Sequence, residues 1–327
     1  MRTCTNQSIS RFSITAAVLL VLVLCSEQPE YVSVLFTGDV MLDRGVRNAV
    51  AWKEPDILFN HVRDIFAEND FVFINLECPL TTVVNPAEKE YVFRGDPSWI
   101  PALTRAGVTH ASLGNNHILD QGGIGAQETV DSLRAHDIEP VWIRGDFLEP
   151  AVIRRNGVIV GVYSVNLLPD TLSGVSFDML IDSIRQFRKD NPQSIIVVYP
   201  HWGWEYIEEP HKGQIENARR LIDAGANAII GHHPHVVQTV EEYNEGIIFY
   251  SLGNFIFDQY YPGTDKGLAV QLVFGKGKIE QINLFPIIIE SAVPRLASTD
   301  EWSSVLNLKS MAIKLPEYSA PIRINYR

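Results

Sequence analysis

The chain has 327 residues, of which 46% are hydrophobic and 20% charged, a composition typical of a globular protein and unlike that of a disordered or coiled-coil chain. Its 39 acidic residues exceed its 27 basic ones, and the net charge of −12 argues against sequence-independent nucleic-acid binding. The three cysteines, Cys4, Cys25 and Cys78, are too few for a disulfide scaffold and lack zinc-finger spacing.

The N-terminal segment predicts export. Arg2 and Arg11 precede an apolar run of nine residues at 16–24. A positive stretch followed by such a run is typical of an export signal and is short for a bilayer span of about 20 residues. Cys25 directly follows the run, as in a bacterial lipoprotein. We therefore expect residues 1–24 to direct the protein to the cell envelope, with Cys25 lipidated and the membrane reached through this end, or with the signal simply cleaved.

The rest of the chain predicts an α/β domain, because short β-branched runs alternate with amphipathic stretches. Strands are expected at 31–38, 71–76, 108–113, 158–165, 194–199, 227–231, 247–252 and 268–274. Helices are expected at roughly 55–68, 97–106, 123–136, 178–190 and 211–224. A further pair of strands is expected to turn at 275–278.

Polar side chains gather where six of these strands end. They are Asp39, Asn75, Glu77, Asn115, Asn116, His117, His201, His232, His233, His235 and Asn254. Ligands of open α/β sheets bind beyond the carboxyl ends of strands, and three histidines within 232–235 indicate metal binding. Imidazole and oxygen donors without thiolate suit Mn²⁺, Zn²⁺ or Fe. A carboxylate that bridges two such ions would support hydrolysis of a phosphoester or an amide.

Some of these residues also have simpler explanations. Asp39 fits a turn or a helix cap, and His201 fits a satisfied core histidine among aromatic neighbours. His110 and His136 are expected to lie outside any site. The acidic stretch 205–209 is expected to be a solvated face.

Six blocks, in chain order, carry a resemblance to a known family. They are GDVMLDRG (38–45), NLECPLT (75–81), AGVTHASLGNNHILDQG (106–122), YPHWGWEY (199–206), AGANAIIGHHPHVVQ (224–238) and YSLGNFIFDQ (250–259). Together they resemble the bacterial capsule-synthesis protein CapA family, which is associated with poly-γ-glutamate biosynthesis and belongs to the calcineurin-like metallophosphoesterase superfamily. The resemblance implies a four-layer α/β fold over residues 31–290, with two facing mixed β-sheets flanked by helices. Residues 291–327 are then expected to form a C-terminal extension packed on that domain.

The resemblance also implies roles for individual residues. The residues expected to bind one or two divalent ions are Asp39, Glu77, Asn116, His201, His233 and His235. His117 is expected to face the substrate as the catalytic residue. The residues expected to contact substrate or to support the ligands are Arg44, Asn75, Asn115, His232 and Asn254.

Three departures from the superfamily pattern bear on the metal count. Val40 and Met41 follow Asp39, so the histidine of the usual Asp-x-His block is missing. Glu77 stands in the block that normally supplies a bridging aspartate, and the acid after the Asn-His pair is delayed to Asp120. The first ion site has thus lost a ligand while the second keeps its set, which is compatible with a mononuclear centre or a weakly held second ion.

The leading functional hypothesis is an exported, membrane-associated factor that helps to make, export or anchor an anionic surface polymer such as poly-γ-glutamate. It would carry a metal-dependent hydrolase-type site and work beside other capsule-synthesis membrane proteins. One alternative is a non-catalytic accessory subunit that binds the polymer or partner proteins. Another is an exported metallophosphatase that acts on a small phosphoester.

Overall fold

The computed structural model describes residues 31–50, 53–142, 149–169, 175–306 and 322–324. The predicted export segment and Cys25 lie outside these residues, as does part of the predicted extension at 291–327. Within the described ranges, no helix combines the length and the apolar character needed to cross a membrane.

Strands and helices are interspersed along the described chain up to residue 230, and the part after it is mostly strand. The strands are β1 (Val32–Val40), β2 (Phe71–Leu76), β3 (His110–Ser112), β4 (Glu139–Val141), β5 (Ala151–Arg155), β6 (Val158–Asn166), β7 (Ile195–His201), β8 (Ala228–Ile230), β9 (Val240–Tyr243), β10 (Gly246–Phe249), β11 (Asn254–Ile256), β12 (Lys266–Phe274), β13 (Ile279–Glu290), β14 (Val293–Leu296) and β15 (Ile322–Ile324). The helices are α1 (Arg44–Val50), α2 (Arg63–Ala67), α3 (Ile100–Ala106), α4 (Gly122–Arg134), α5 (Phe177–Asp190), α6 (Lys212–Asp223) and α7 (Trp302–Val305), with 3₁₀ turns at Pro55–Phe59 and Pro97–Trp99.

The described strands form two mixed sheets. The first has the order β14-β13-β12-β1-β2-β3-β4, with β11 beside β1 and β15 beside β13. The second has the order β5-β6-β7-β8-β10-β9. In the first sheet β1 to β4 run parallel and β12 runs antiparallel to β1, so both pairings occur in one sheet. The strand pair predicted to turn at 275–278 is confirmed as β12 and β13.

Three apolar layers hold these sheets between helices. Val34 and Phe36 of β1 face the second sheet and join a core that includes Val160 of β6, whereas Leu35 points to the opposite face, under α3 and its neighbours. A third layer packs α5 and α6 on the outer face of the second sheet. Strands buried on both faces explain the near-continuous hydrophobic runs. The predicted fold of two facing mixed sheets flanked by helices is confirmed.

The helix predicted at 55–68 is not continuous in the structure. The segment expected at 55–68 is a 3₁₀ turn at Pro55–Phe59 followed by the short helix Arg63–Ala67. Pro55 lacks a backbone N–H and starts the turn, and Val62 has left helical geometry, with φ −127° and ψ 1°. The break lets Leu58 and Phe66 both enter the core.

Strand pairing brings the polar strand ends of both sheets together. Asp39 at the end of β1 lies in register with Asn75 of β2 on one side and with Asn254 of β11 on the other. In the second sheet, His201 at the end of β7 forms an isolated parallel bridge with His232. The polar residues that the sequence predicts at the strand ends therefore lie together at one rim.

Candidate metal centre

Asp39 and Glu77 lie at the buried floor of this rim. Both side chains are fully buried, and the Glu77 backbone N–H donates to the Val40 carbonyl across the β1–β2 pair at 2.8 Å. The Asn75 amide donates to Asp39 Oδ1 at 2.8 Å. Burial alone would raise the pKa of Asp39, but its hydrogen bond with His235 and the charges of the neighbouring imidazoles bring that pKa below its usual value. Asp39 is therefore held as a carboxylate.

Glu77 differs from Asp39 in having no hydrogen-bond donor. Neither of its carboxylate oxygens has a hydrogen-bond partner, although the side chain is fully buried. Burial, and then the negative charge of Asp39, raise the pKa of Glu77 well above its usual value. Its Oε1 atom lies 3.7 Å from His201 Nε2 and 3.6 Å from His235 Nε2. A buried carboxylate without a donor is costly unless a cation completes it.

Two groups of potential ligands share Glu77. One joins Glu77, His201 and His233, and the other joins Asp39, Glu77 and His235; within each group the ligand atoms lie within 4.8 Å of one another. Asn116 extends the first group, because its Oδ1 lies 2.9 Å from His201 Nε2. Glu77 is therefore common to two sets of potential ligands.

The 232–235 segment holds its histidines in an unfavourable backbone geometry. His233 has φ +97° and His235 has φ +59°, values that residues other than glycine rarely adopt. His233 Nδ1 is buried without a partner, and burial lowers the pKa of His233 to about 3. His235 is anchored, with Nδ1 lying 3.0 Å from Asn254 Oδ1 and 3.2 Å from Asp39 Oδ2. Strain of this kind is concentrated at functional sites, where the surrounding structure maintains it.

His117 is positioned by a contact that the sequence alone did not reveal. Its Nδ1 lies 2.7 Å from Asp120 Oδ2, and the other Asp120 oxygen pairs with Lys89 Nζ at 2.5 Å. The ring stacks on Phe93 with centroids 4.0 Å apart. Burial lowers the pKa of His117 although Asp120 raises it. The imidazole is therefore fixed in orientation at the edge of the cavity.

The other predicted site residues support this geometry. Asn115 Oδ1 accepts from the backbone N–H of His117 at 3.1 Å and shapes the turn. The His232 ring packs against Tyr199 at a tilt, and its Nε2 lies 3.0 Å from the Thr37 carbonyl oxygen, which points it away from the two groups. Arg44 lines the cavity and forms a salt bridge with Asp258, with Nη2 2.5 Å from Oδ1.

A cavity of about 450 Å³ opens above these groups. Its lining combines ionisable and aromatic side chains: Arg44, Tyr91, Phe93, His117, Glu205, Tyr206, His235, Phe257, Asp258, Gln259, Tyr260 and Tyr261. Glu205 is exposed, as the prediction of a solvated face at 205–209 requires, and it also lines the cavity and approaches His233 and His235. Sequence reasoning assigned no role to Lys89, which lies in a segment without regular periodicity.

The two histidines predicted to lie outside the site are elsewhere in the fold. His110 stacks on Phe73 with centroids 4.2 Å apart, and burial lowers the pKa of His110 to about 4. His136 Nδ1 contacts the Ser132 carbonyl oxygen at 2.8 Å.

The donor chemistry fits divalent metal ions. Two carboxylates, one amide oxygen and three imidazoles converge without a thiolate, a set that suits Mn²⁺, Zn²⁺ or Fe. The partnerless oxygens of Glu77 and the partnerless Nδ1 of His233 are the buried atoms that a cation would satisfy. The arrangement thus has the chemistry to hold ions beside a cavity that His117 lines.

Comparison with known proteins gives consistent matches. The family model described as bacterial capsule synthesis protein PGA_cap matches residues 33–259. The capsule biosynthesis protein CapA of Bacillus anthracis is 30% identical over 286 residues, which cover 81% of this chain and 69% of that protein. The PGA biosynthesis protein CapA of Bacillus subtilis is 31% identical over 287 residues, with 83% and 75% covered. A probable polyglutamine synthesis accessory protein of Mycobacterium tuberculosis is 27% identical over 342 residues, with 84% and 90% covered.

Proposed function

The chain belongs to the bacterial capsule synthesis protein family, and we propose from this membership and from the rim geometry that it serves the synthesis of a capsular polymer of the poly-γ-glutamate type through a divalent-metal centre. The polymer assignment is supported by the CapA relatives, which are named for capsule and PGA biosynthesis. The metal centre is supported above all by Glu77, whose two carboxylate oxygens are buried without partners and whose Oε1 lies within 3.7 Å of both His201 and His235.

The ligands divide into two sets around that carboxylate. Asp39, Glu77 and His235 would hold one ion. Glu77, His201 and His233, with Asn116, would hold the other. Bound divalent ions supply a water of lowered pKa and polarise the group under attack.

The remaining chemistry belongs to side chains of the cavity. His117, oriented by Asp120 through Nδ1, presents its other ring nitrogen for proton exchange with a leaving group or with developing charge. Arg44 lines the same cavity and is a cation for an anionic substrate, although Asp258 shares its charge. The reaction we propose is hydrolysis of an amide or a phosphoester in a polymer or in its precursor.

The place of action we propose is the cell envelope. Support comes from the export pattern of residues 1–24, with Cys25 as a lipidation site. A membrane-attached end would bring the cavity close to other capsule-synthesis proteins of the membrane.

The test is turnover of a defined γ-glutamyl polymer and of a generic phosphodiester by purified protein with added Mn²⁺ or Zn²⁺. His117→Ala should lower kcat by about 10²–10⁴-fold while the metal content stays unchanged. The matched control is His61→Ala, because His61 is exposed and does not line the cavity. Wild-type protein that holds metal but turns over neither compound would contradict the catalytic proposal.

A second candidate is the accessory subunit without catalysis. Met41, which is fully buried, stands where the superfamily pattern has a histidine ligand, and this favours a weakened centre. Metal-dependent binding of the γ-glutamyl polymer without any turnover would support this candidate over the enzyme.

A further inference from the structure

We propose that Glu205 is an additional ligand of the metal centre, bound from its open side, and that it supplies the donor missing from the first ion site. The inference rests on the proposed function, because it assumes that ions bind at Glu77. Glu205 lies between the cavity and the buried ligands, in a stretch that the sequence pattern predicted to be a solvated face.

Glu205 lies within reach of two ligand histidines. A carboxylate oxygen of Glu205 and one nitrogen each from His233 and His235 lie within 4.8 Å of one another. Each of these histidines also belongs to one of the two groups that contain Glu77. Glu205 is exposed whereas Glu77 is fully buried, so the two carboxylates approach the imidazoles from the solvent side and from the floor.

The backbone around Glu205 is fixed by two hydrogen bonds. The Trp202 N–H donates to the His232 carbonyl at 3.0 Å, and the Tyr206 N–H donates to the Pro234 carbonyl at 2.8 Å. These bonds clamp the loop that carries Glu205 onto the segment that carries the histidines. Tyr206 adopts φ +63°, a strained value for a tyrosine, and its hydroxyl accepts from Gln259 Nε2 at 3.1 Å. A carboxylate on such a loop loses little further freedom when it binds an ion.

Glu205 would also correct a shortage of donors at the first ion site. The group formed by Asp39, Glu77 and His235 has three members. Met41 is fully buried, and its Sδ accepts from the Asp43 N–H at 3.1 Å. A thioether is a poor ligand for the ions that prefer oxygen and imidazole. A carboxylate is a suitable fourth donor.

The neighbouring acidic residues provide a contrast. Glu209 accepts from the Thr239 hydroxyl at 3.0 Å, and Glu208 is exposed near Gly263. Neither belongs to a potential metal group among the described residues. Glu208→Gln therefore makes the same chemical change on the same loop without touching the proposed site.

The experiment measures metal binding alone, with no substrate. Full-length wild type, Glu205→Gln and Glu208→Gln are stripped with chelator, titrated with Mn²⁺ by calorimetry, and analysed for ions per chain by mass spectrometry after dialysis. We expect two ions in wild type and in Glu208→Gln. In Glu205→Gln we expect at least a tenfold weaker affinity for one ion and nearly unchanged affinity for the other, a loss in the range produced by removing groups that support a metal.

The outcomes separate the two proposals. If Glu205→Gln binds both ions as wild type does, the role of Glu205 is overturned and the centre at Glu77 stands. If wild type binds no ion, both proposals fail. Equal unfolding temperatures of the two stripped variants check that the substitutions leave the fold intact.

Discussion

The Nδ1 atom of His117 lies 2.7 Å from the Oδ2 atom of Asp120, three residues later in the chain. Lys89 occupies the other oxygen of Asp120, and the backbone N–H of Phe93 donates to Oδ2 at 2.6 Å. The carboxylate is thus held from several sides and in turn holds the imidazole. Asp120 therefore reaches His117, although it stands later in the chain than the acid of the superfamily pattern.

Asp120→Asn should lower kcat by at least about tenfold, because His117 loses the charged partner that orients its ring. Metal content should not change, since Asp120 is absent from the potential metal groups of the described chain. Steady-state kinetics together with metal analysis check this. Asp182→Asn, a change at a side chain that is 77% exposed on α5, is the control. Equal kcat values for the two variants would contradict the role of Asp120.

Glu77→Met should abolish metal binding and yet stabilise the metal-free protein by about 1–3 kcal/mol, because it removes a buried carboxylate that has no hydrogen-bond partner. Unfolding in urea, with chelator and with added Mn²⁺, checks both halves. With the ion present the order should reverse, because only the wild type gains binding free energy. A variant that is less stable than wild type in chelator would show that Glu77 is satisfied in the metal-free protein.

Asn75→Ala should weaken ion binding by about 10–100-fold, although Asn75 belongs to neither ligand group. Its amide donates to Asp39 Oδ1 at 2.8 Å and lies 3.3 Å from His201 Nδ1, so it orients a ligand from each set. Calorimetric titration with Mn²⁺ measures the change. The exposed Asn60→Ala should titrate like wild type, and an Asn75→Ala curve that matches it would refute this role.

His110 should make the protein less stable in acid. Burial lowers the pKa of His110 to about 4, from 6.5 in the unfolded chain. Below pH 6.5 the unfolded chain binds a proton at this position that the folded protein does not, so stability is lost as the pH falls from 6.5 toward 4. In His110→Phe, which keeps a ring against Phe73, the loss between pH 7 and pH 4 should be smaller by about 3 kcal/mol. Urea unfolding at the two pH values measures it, and equal losses in both proteins would contradict the assignment.

Much of the fold could be read from local pattern. Runs such as 71–76 and 158–165 are buried on both faces, and their β-branched residues identify them as strands at nearly the observed bounds. Short strands such as β4 and β11, with three residues each, have no pattern of their own and exist through their neighbours. The prediction of one helix at 55–68 was wrong because the spacing of the core-facing residues fits a helix, whereas the backbone leaves helical geometry at Val62.

The site was predictable where a polar residue stands at the end of a strand, as Asp39 and His201 do. It was not predictable where a distant backbone contact sets the geometry. Glu205 looks like one of several surface acids until the hydrogen bonds of Trp202 and Tyr206 place it over the histidines. Lys89 likewise reaches Asp120 only through the course of an irregular loop.

Anomalous diffraction from crystals equilibrated with Mn²⁺ would show whether Glu77 lies between two metal ions. We expect two peaks about 3.5–4 Å apart, one beside Asp39 and His235, the other beside His201 and His233, each in contact with the Glu77 carboxylate. A map in which Mn²⁺ binds elsewhere, with no peak at Glu77, would contradict this expectation.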